Sequence, residues 1–355
     1  MYIMFVAFLH SSCITRSGSR KLTRLFITGI AGFIGSNLAM SALDQRYEVH
    51  GLDNFSSGNE ANLAPFRKRI TLFRSDLSDM AALRRACQGV DCVLHHAAIA
   101  SVPQSMHDPV QNHESNATGT LQLLLAARDA GVRRVIFASS SSVYGDQASL
   151  PIHEDLTLDP LSPYAASKLA GELYMRVFSR FFGIETVCFR YFNVFGPNQD
   201  PASPYSGVLA RFIRQMLHEE RPTIFGDGEQ TRDFTYIENV VQANLLAIRA
   251  PSDHVNGRVF NLATGRQASL NEVYATLQRV TGYGEPPAYA EARQADIRNS
   301  LADISAASSA LGFHPAVGLE EGLRKTVDWY RSTASCMAEI TPGVAAEQFS
   351  GSIPN

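Results

Sequence analysis

Short runs of β-branched and aromatic residues alternate along the chain with longer segments of helical pattern. The runs predict strands at Leu25–Thr28, Tyr47–Asp53, Ile70–Arg74, Asp91–His95, Arg134–Ser139, Thr186–Arg190 and Val259–Ala263. The other segments predict helices near Ile34–Gln45, Met80–Cys87, Ser115–Ala130, Pro163–Phe182, Gly207–Glu219, Ile237–Arg249, Asn271–Thr281 and Leu319–Arg331. Because strand and helix alternate, we predict an α/β fold in which a doubly wound parallel sheet carries helices on both faces.

Proline and glycine become more frequent at loop positions in the second half, where strands and helices no longer alternate cleanly. This change predicts a smaller C-terminal lobe, interleaved with the first domain because Val259–Ala263 still resembles a central strand. We expect residues 23–190 and 232–263 in a nucleotide-binding domain, residues 191–231 and 264–331 in a substrate-binding lobe, and disordered ends at 1–22 and 332–355. A ligand cleft is then expected between the two, at the carboxyl ends of the strands.

The composition of the 355-residue chain excludes several classes of partner. With 31 Lys and Arg against 34 Asp and Glu, there is no basic excess for binding nucleic acid. No apolar run approaches the roughly 20 residues of a membrane span, so we predict no membrane association. The five cysteines form no CxxC pair, which favours a reducing compartment and a cytoplasmic location; they are Cys13, Cys87, Cys92, Cys188 and Cys336.

A glycine-rich turn follows the first predicted strand, where Gly29, Gly32 and Gly35 have the spacing GxxGxxG. The first glycine permits a tight turn, the second lets the main chain approach a pyrophosphate, and the third packs the helix against the strand. A plain strand-to-helix turn is the alternative interpretation. Asp53 ends the second strand, 18 residues beyond Gly35, where a carboxylate can accept hydrogen bonds from an adenosine ribose. It would repel a 2′-phosphate, so the pattern favours NAD over NADP.

Asp76 stands at the end of the third predicted strand and has two interpretations. Its carboxylate could receive the adenine amino group, or it could cap the helix that begins near Asp79.

A tyrosine and a lysine four residues apart, Tyr164 and Lys168, are predicted to lie on one face of a helix that starts at Pro163. A nearby ammonium group favours the phenolate that a tyrosine needs to act as a base. Such a pair is often only solvated helix surface. Here the run Ser139–Ser142 ends the preceding strand, so two sets of candidate catalytic groups converge on the strand ends.

Further segments accompany these motifs: Asp53–Gly58, His96–Ala98, Ser140–Gly145, Ser162–Lys168, Arg190–Pro197, Gly226–Gly228 and Arg232–Phe234. Together with the glycine turn they resemble the extended short-chain dehydrogenase/reductase family, and within it the nucleotide-sugar 4-epimerases, over Leu25 to Trp329. The resemblance implies a Rossmann-like fold, an NAD cofactor and a UDP-sugar substrate.

The same resemblance implies roles for individual residues. Ser140, Tyr164 and Lys168 are expected to be catalytic, with Ser140 matched as the hydroxyl four positions before Tyr144. NAD is expected to contact Gly29, Gly32, Phe33, Ile34, Gly35, Asp53, Asn54, Ser56, Gly58, Asp76, Leu77, Ala97, Ala98, Tyr164 and Lys168.

The two positions before Val143 separate the branches of the family. By this resemblance, the dehydratase branch carries Asp-Glu at these two positions, whereas this chain has Ser141 and Ser142. Without a carboxylate to move the proton beside the keto carbon, elimination is disfavoured. The resemblance then implies inversion at C4 of a UDP-hexose through a transient 4-keto sugar and tightly bound NAD.

On the sugar side, the resemblance implies that Asn193 contacts the diphosphate, that Arg232 and Arg293 clamp it, and that Asp296 contacts the ribose. The alternative for each arginine is a surface ion pair. The small Ser300 stands at the position of a gate residue and favours N-acetylated sugars. The whole expected set is Ser101, Ser140, Ser141, Ser142, Tyr164, Asn193, Gln199, Arg232, Arg293, Asp296 and Ser300.

Other interpretations remain open at this point. UDP-glucose/UDP-galactose and UDP-uronic acids are alternative substrates, and a non-catalytic NAD sensor is an alternative function. Cys87, Cys92, His95 and His96 superficially resemble a metal cluster, but neighbouring strand residues point to opposite faces, so we predict no metal site. In relatives the helices corresponding to Ser115–Ala130 and Pro163–Phe182 form a four-helix dimer interface, which implies a homodimer.

Overall fold

The computed structural model describes residues 24–200, 207–292 and 297–340, with side chains as far as Thr333. The predicted N-terminal extension, residues 341–355 of the predicted tail, and both Arg293 and Asp296 lie outside the described residues.

The described strands and helices follow the predicted alternation. The strands are β1 (Arg24–Thr28), β2 (Glu48–Asp53), β3 (Ile70–Arg74), β4 (Cys92–His95), β5 (Arg134–Ser140), β6 (Glu185–Tyr191), β7 (Val194–Phe195), β8 (Thr223–Phe225), β9 (Thr231–Arg232), β10 (Thr235–Tyr236), β11 (Arg258–Leu262), β12 (Ala268–Ser269) and β13 (Ala288–Ala290). The α-helices are α1 (Phe33–Asp44), α2 (Met80–Ala86), α3 (Val102–His107), α4 (Pro109–His113), α5 (Gly119–Asp129), α6 (Pro163–Phe181), α7 (Val208–Leu217), α8 (Ile237–Arg249), α9 (Ser252–Val255), α10 (Leu270–Thr281), α11 (Ser305–Leu311) and α12 (Leu319–Ile340).

The seven predicted strands form one parallel sheet in the order β11-β6-β5-β4-β1-β2-β3. The prediction of an α/β Rossmann-like fold is therefore confirmed. One detail differs, because the strand that resembled a central one, β11, lies at the edge of the sheet. Its only partner among the described strands is β6. Phe260–Leu262 are nevertheless buried, and Asn261 bonds the loop residues Glu154, Ile152 and Asp303.

Alternate residues of each strand enter separate cores on the two faces of the sheet. In β1, Leu25 and Ile27 pack with helices α1 and α8, whereas Phe26 packs with α2, α5 and α6. Both faces are thus covered, which is why strands such as β4 are buried along their whole length.

The helix predicted at Ser115–Ala130 is not uniform. A π-helical turn at Glu114–Thr118 precedes α5, and within it the Asn116 carbonyl accepts a hydrogen bond of 2.5 Å from Thr120 Oγ1. Short π-helical turns of this kind often lie at functional sites.

The C-terminal region carries three small two-stranded sheets, which pair β7 with β10, β9 with β12, and β8 with β13. The last helix, α12, continues to Ile340, so the predicted start of a disordered tail at residue 332 is wrong. The hydroxyls of Ser332 and Thr333 bond back to the Trp329 carbonyl, at 2.8 and 3.0 Å, as expected within a helix. Within the described segments, no helix is long and apolar enough to cross a membrane.

Candidate active site

The glycine turn after β1 is built by close contacts between main chains. Gly29 has φ +69°, and a Cβ there would lie 2.8 Å from the nitrogen of Ala97, the residue two positions after β4. A Cβ on Gly35 would lie 2.1 Å from the carbonyl oxygen of Gly29. Gly32 is the N-cap of α1 and provides no side-chain cap, so the first N–H groups of that helix face the end of the sheet. This is the arrangement that binds a pyrophosphate.

Asp53, at the end of β2, holds this turn in place. Its carboxylate is buried and accepts N–H bonds of 2.8 Å from Ala31 and from Phe55. Burial raises its pKa, and the two main-chain bonds oppose that shift. A Cβ on Gly58 would lie 2.8 Å from the same carboxylate, so the segment after Asp53 folds back against it. Each carboxylate oxygen keeps a second acceptor position for a ribose hydroxyl.

The alternative in which Asp76 caps the second helix is wrong. Asp79 is the N-cap of α2 and accepts the Ala82 N–H at 3.0 Å. Asp76 instead accepts from the Ser78 N–H at 2.9 Å and from the Asn54 amide at 2.8 Å. Burial raises the pKa of Asp76, but these hydrogen bonds outweigh it and leave the pKa below its usual value. An ionised acceptor therefore lies beside the Asp53 segment, consistent with the adenine contact.

The residues predicted to contact NAD thus fit that cofactor on structural grounds. Three glycines stand where any Cβ would collide with main chain or with Asp53, and the helix terminus lacks a side-chain cap. One carboxylate, Asp53, ends β2, and a second, Asp76, follows β3 by two residues. Thr28, a residue the sequence analysis did not single out, accepts the N–H groups of His96 and Ala97 at 3.2 and 3.1 Å. It ties the loop after β4 to the glycine turn.

The predicted catalytic groups meet between the end of β5 and the start of α6. Ser162 caps α6 by accepting the Ala165 N–H at 3.1 Å, and Pro163 occupies its first turn, which places Tyr164 there as well. Ser140, the last residue of β5, acts on the Tyr164 hydroxyl by lowering its pKa. Lys168 Nζ donates to the Ala138 carbonyl at 2.8 Å and lies 5.9 Å from the centre of the Tyr164 ring.

The electrostatics differ from the expectation that Lys168 makes Tyr164 acidic. Burial raises the pKa of Tyr164, and the hydrogen bond from Ser140 opposes that shift. Burial also lowers the pKa of Lys168 to about 7, because only 4% of this side chain is exposed. Near neutral pH the lysine is therefore charged in only part of the molecules, which weakens its effect on the tyrosine.

Two buried networks, which the sequence analysis missed, support this face of α6. Asn116 accepts the Ile99 N–H at 2.8 Å and donates to Ser167 Oγ at 3.1 Å, so the π-helical turn joins the loop after β4 to the residue before Lys168. Glu172 makes a bidentate pair with Arg190 of β6 at 2.9 and 2.7 Å, and each side chain is about 5% exposed or less. Tyr164, Lys168 and Glu172 follow one another at four-residue spacing, which places all three on one face of the helix. That spacing was the signal in the sequence from which a role for Glu172 could have been predicted.

The residues predicted to bind the sugar are distributed over several loops. Ser101 is buried and caps α3 by accepting the Gln104 N–H at 3.0 Å, so its hydroxyl has a structural partner already. Asn193 follows β6 with φ +33° and donates to the Asp233 carbonyl at 3.2 Å. Gln199 is anchored through its carbonyl, which accepts from the Tyr330 hydroxyl at 2.7 Å.

Arg232 and Ser300 are brought together by the main chain of Thr231. The Arg232 guanidinium donates to the Thr231 carbonyl at 2.8 Å, and the Ser300 N–H donates to the same carbonyl at 3.1 Å. The structure thus places the predicted clamp arginine beside the predicted gate residue, which is 7% exposed.

Asp233, next to Arg232, is a fully buried carboxylate to which the sequence analysis gave no role. It accepts the N–H groups of Thr264 and Gly265 at 2.9 Å each and the Thr264 hydroxyl at 2.6 Å. Burial raises its pKa against these bonds. Asp233 therefore fixes the strand that carries Arg232 onto the loop after β11.

The paired histidines do not form a metal site. His95 bonds Thr28 and Thr120 at 2.8 and 2.9 Å, and His96 bonds the Tyr191 hydroxyl at 2.9 Å, on the opposite face of the sheet. Burial lowers the pKa of His96 to about 3 and that of His95 well below its usual value, so both are neutral. No cluster with metal-binding composition occurs among the described residues.

The fold, the glycine turn with its terminal carboxylates, and the hydroxyl, phenol and amine at the strand ends define an NAD-binding protein of the short-chain dehydrogenase/reductase type. Residues 25–263 match the NAD dependent epimerase/dehydratase family, and the chain belongs to this family. NAD is its cofactor.

Three similar proteins illustrate the range of the family. A UDP-glucose 4-epimerase of Mycolicibacterium smegmatis is 37% identical and aligns over 87% of this chain and 99% of its own length. The structure of a UDP-N-acetylglucosamine 4-epimerase from Methanobrevibacter ruminantium, in complex with UDP-N-acetylmuramic acid, has a TM-score of 0.84 and 39% identity, over 88% of this chain and 99% of the other. A UDP-glucuronic acid 4-epimerase from Bacillus cereus, in complex with UDP-glucuronic acid and NAD, has a TM-score of 0.81 and 34% identity, over 88% and 100%.

Proposed function

We propose that this protein inverts the configuration at C4 of a UDP-hexose, with preference for UDP-GlcNAc and UDP-GalNAc. The observation that carries the C4 chemistry is the contact between Ser140 and Tyr164 beside Lys168, with Ser141 and Ser142 where a dehydratase would carry acids. This set can move the proton of a secondary alcohol, and it lacks a carboxylate at those two positions for elimination.

In the proposed reaction, the Tyr164 oxygen removes the proton of the C4 hydroxyl while Ser140 hydrogen-bonds that oxygen. The same tyrosine returns the proton after the sugar has presented its other face. Lys168, held by the Ala138 carbonyl, is positioned to bind a ribose hydroxyl and to influence the charge of Tyr164 when protonated. NAD, when bound against the glycine turn and Asp53, supplies reversible hydride transfer.

The preference for N-acetylated sugars rests on the proposed sugar pocket. Ser300 is small, and its N–H and the Arg232 guanidinium bind the same Thr231 carbonyl, so the proposed gate residue lies beside the proposed diphosphate clamp. Ser141 and Ser142 are partly exposed and offer hydroxyls at the end of β5. The UDP-N-acetylglucosamine 4-epimerase of M. ruminantium is also similar to this chain over nearly its whole length.

A substrate panel tests both levels of the proposal. Purified protein is incubated separately with UDP-GlcNAc, UDP-glucose and UDP-glucuronic acid, and each product is identified by NMR. We expect conversion of UDP-GlcNAc to UDP-GalNAc to be fastest. Faster conversion of either other sugar would overturn the preference but not the C4 chemistry, whereas no conversion of any of the three would overturn both.

We also propose a homodimer, on the basis of exposed apolar residues on neighbouring helices. Leu173, Val177 and Phe181 repeat every four residues along α6 and are 47%, 42% and 76% exposed. Val102, Met106 and Val110 form a second exposed stripe on α3 and α4, which pack against α6. Contiguous exposed apolar surface of this kind marks protein interfaces.

Sedimentation analysis of the purified protein tests the proposed dimer. The wild type should sediment as a dimer, and Val177→Glu should yield monomers; a monomeric wild type would refute the proposal.

The two-lobe division of the chain and a cytoplasmic location remain proposals as well. Cys87, Cys92 and Cys188 are buried free thiols, and burial raises the pKa of Cys87 and Cys92 to about 12, so they are unreactive. This agrees with a reducing compartment.

A further inference from the structure

Ser142 is hydrogen-bonded to Ser140, the residue whose hydroxyl acts on Tyr164. Ser140 is the N-cap of the 3₁₀ turn Ser141–Tyr144, and its Oγ accepts the Ser142 N–H at 3.2 Å. The Ser142 Oγ lies 2.9 Å from the same oxygen. The Ser140 side chain in turn lowers the pKa of Tyr164, against the effect of burial. The sequence analysis gave Ser142 only a sugar contact, so this connection adds a second role.

A count of donors and acceptors fixes the direction of these bonds. A serine hydroxyl has one hydrogen and two lone pairs, and the Ser142 N–H can act only as a donor. When Tyr164 is ionised, its oxygen can only accept, so the Ser140 hydrogen must point toward it. The contact between the two serine oxygens must then use the hydrogen of Ser142. In the ionised state every donor in the chain Ser142–Ser140–Tyr164 is therefore paired.

We propose that Ser142 is a positioning residue for proton transfer, because its N–H and its hydroxyl hold the Ser140 hydroxyl directed at the Tyr164 oxygen. The inference rests on the proposed function of Tyr164 as the base. Hydrogen bonds in a chain polarise one another, so donation by Ser142 makes Ser140 a stronger donor to the phenolate. Ser142 thereby favours the ionised form of a tyrosine that burial disfavours.

Other charged groups around this chain come from three elements. On α6, Lys168 lies 5.9 Å from the Tyr164 ring centre, and its pKa is about 7. At the end of β4, His95 and the following His96 lie near enough to Lys168 for its charge to lower their pKa, and both are neutral. The charges of Glu172 and Arg190 are paired with each other. A pH profile of activity alone would therefore combine the ionisation of Lys168 with that of Tyr164, and a signal specific to tyrosine is needed.

The experiment compares purified holoenzyme with Ser142→Ala, Ser142→Thr and Ser141→Ala variants. Ultraviolet difference titration follows tyrosinate formation, with Tyr164→Phe as the blank that isolates this one tyrosine. The pH dependence of kcat is measured on UDP-GlcNAc in parallel. Threonine keeps both donors of residue 142. Ser141 is the matched control, because no bond between its side chain and Ser140 occurs among the described residues.

We expect Ser142→Ala to raise the midpoint of Tyr164 ionisation, and the acid limb of kcat, by about one pH unit. Ser142→Thr should restore both to the wild-type position. Ser141→Ala should change KM through its sugar contact without moving the Tyr164 midpoint.

Two results would overturn the inference: a Ser142→Ala midpoint that coincides with the wild type, or an equal shift in Ser142→Thr. The failure of the proposed function looks different. If the wild type converts no UDP-sugar, the proposed activity is wrong, while the spectroscopic titration still decides whether Ser142 acts on Tyr164.

Discussion

The proposed cofactor side and the proposed sugar side of the site are built from different kinds of atoms. On the cofactor side the main chain determines the shape, since Gly29, Gly35 and Gly58 leave no space for a side chain and Asp53 binds N–H groups. On the catalytic and sugar side, hydroxyl, phenol, amine and guanidinium groups are held by long-range hydrogen bonds such as Lys168 to Ala138. Steric requirements of a turn are local and visible in sequence, whereas side-chain placement depends on tertiary pairing. Mutations should therefore affect binding and folding on the first side, and rate or selectivity on the second.

The largest effect is expected from Gly35→Ala. Its Cβ would lie 2.1 Å from the Gly29 carbonyl oxygen, so the turn or the helix must shift. Overpacking of this kind costs about 1–3 kcal/mol or more, and the displaced helix terminus should no longer hold a pyrophosphate. We expect the purified variant to contain little NAD and to have a lower Tm. Gly284→Ala is the control, because nothing lies within 4 Å of its Cβ position. Normal NAD content in Gly35→Ala would contradict a main-chain-built site.

Tyr164→Phe should give the opposite result to Gly35→Ala, with activity lost and NAD binding kept. Removal of the phenol eliminates the proposed acid and base, so kcat should fall by about 10²–10⁴-fold. The NAD content and the Tm should stay close to the wild type, because this hydroxyl lies in the first turn of α6 and not in the glycine turn. Conversion is measured by NMR and bound NAD by its absorbance after release. Tyr174→Phe, on the same helix, is the control with unchanged activity; comparable conversion by Tyr164→Phe would show that another group is the base.

The same division explains what could be predicted from the sequence. The sheet strands were predicted to within one residue at each end, because their apolar runs are long and their pairing repeats. The strands β7–β10, β12 and β13 were missed, since two or three residues carry no detectable period and exist through tertiary pairing. The π-helical turn at Glu114–Thr118 was also missed, because its sequence continues the helical pattern of α5 without a break.

The catalytic groups show a similar limit. The four-residue spacing predicted that Tyr164 and Lys168 share a helix face, and the structure places them together. The direction of the pKa shifts could not be predicted, because burial by the surrounding protein outweighs the local spacing. Asp79, not Asp76, caps α2, a distinction of three residues that depends on where the helix begins.

Ser300→Tyr tests selectivity between sugars on the proposed sugar side. A bulky ring beside Arg232 should reduce kcat/KM for UDP-GlcNAc by about 10–100-fold relative to UDP-glucose, because a filled pocket excludes an added substituent. NAD content should not change, since Ser300 belongs to the proposed sugar side and not to the glycine turn. Competition assays with both sugars measure the ratio, and Ser309→Tyr, at an exposed position of α11, is the control. An equal loss for both sugars would mean that residue 300 is not a gate.

The last prediction concerns stability alone and should leave NAD content and selectivity out of the measurement. Burial lowers the pKa of Lys168 to about 7 in the folded protein, against 10.5 for an unperturbed lysine. Between these values the unfolded chain binds more protons, so the free energy of unfolding should rise with pH by up to about 1.4 kcal/mol per unit. Lys168→Met lacks this contribution, and its stability relative to the wild type should fall as the pH rises from about 7 to 9 in urea denaturation.

Lys325→Met is the matched control for this titration. The pKa of Lys325 is raised by its hydrogen bond to Glu238, so it stays charged in both states over this range and adds no slope. If wild type and Lys168→Met instead keep a constant difference, Lys168 is fully charged in the folded protein. In that case burial is compensated, and the amine would act on Tyr164 at full strength, as the four-residue spacing alone suggests.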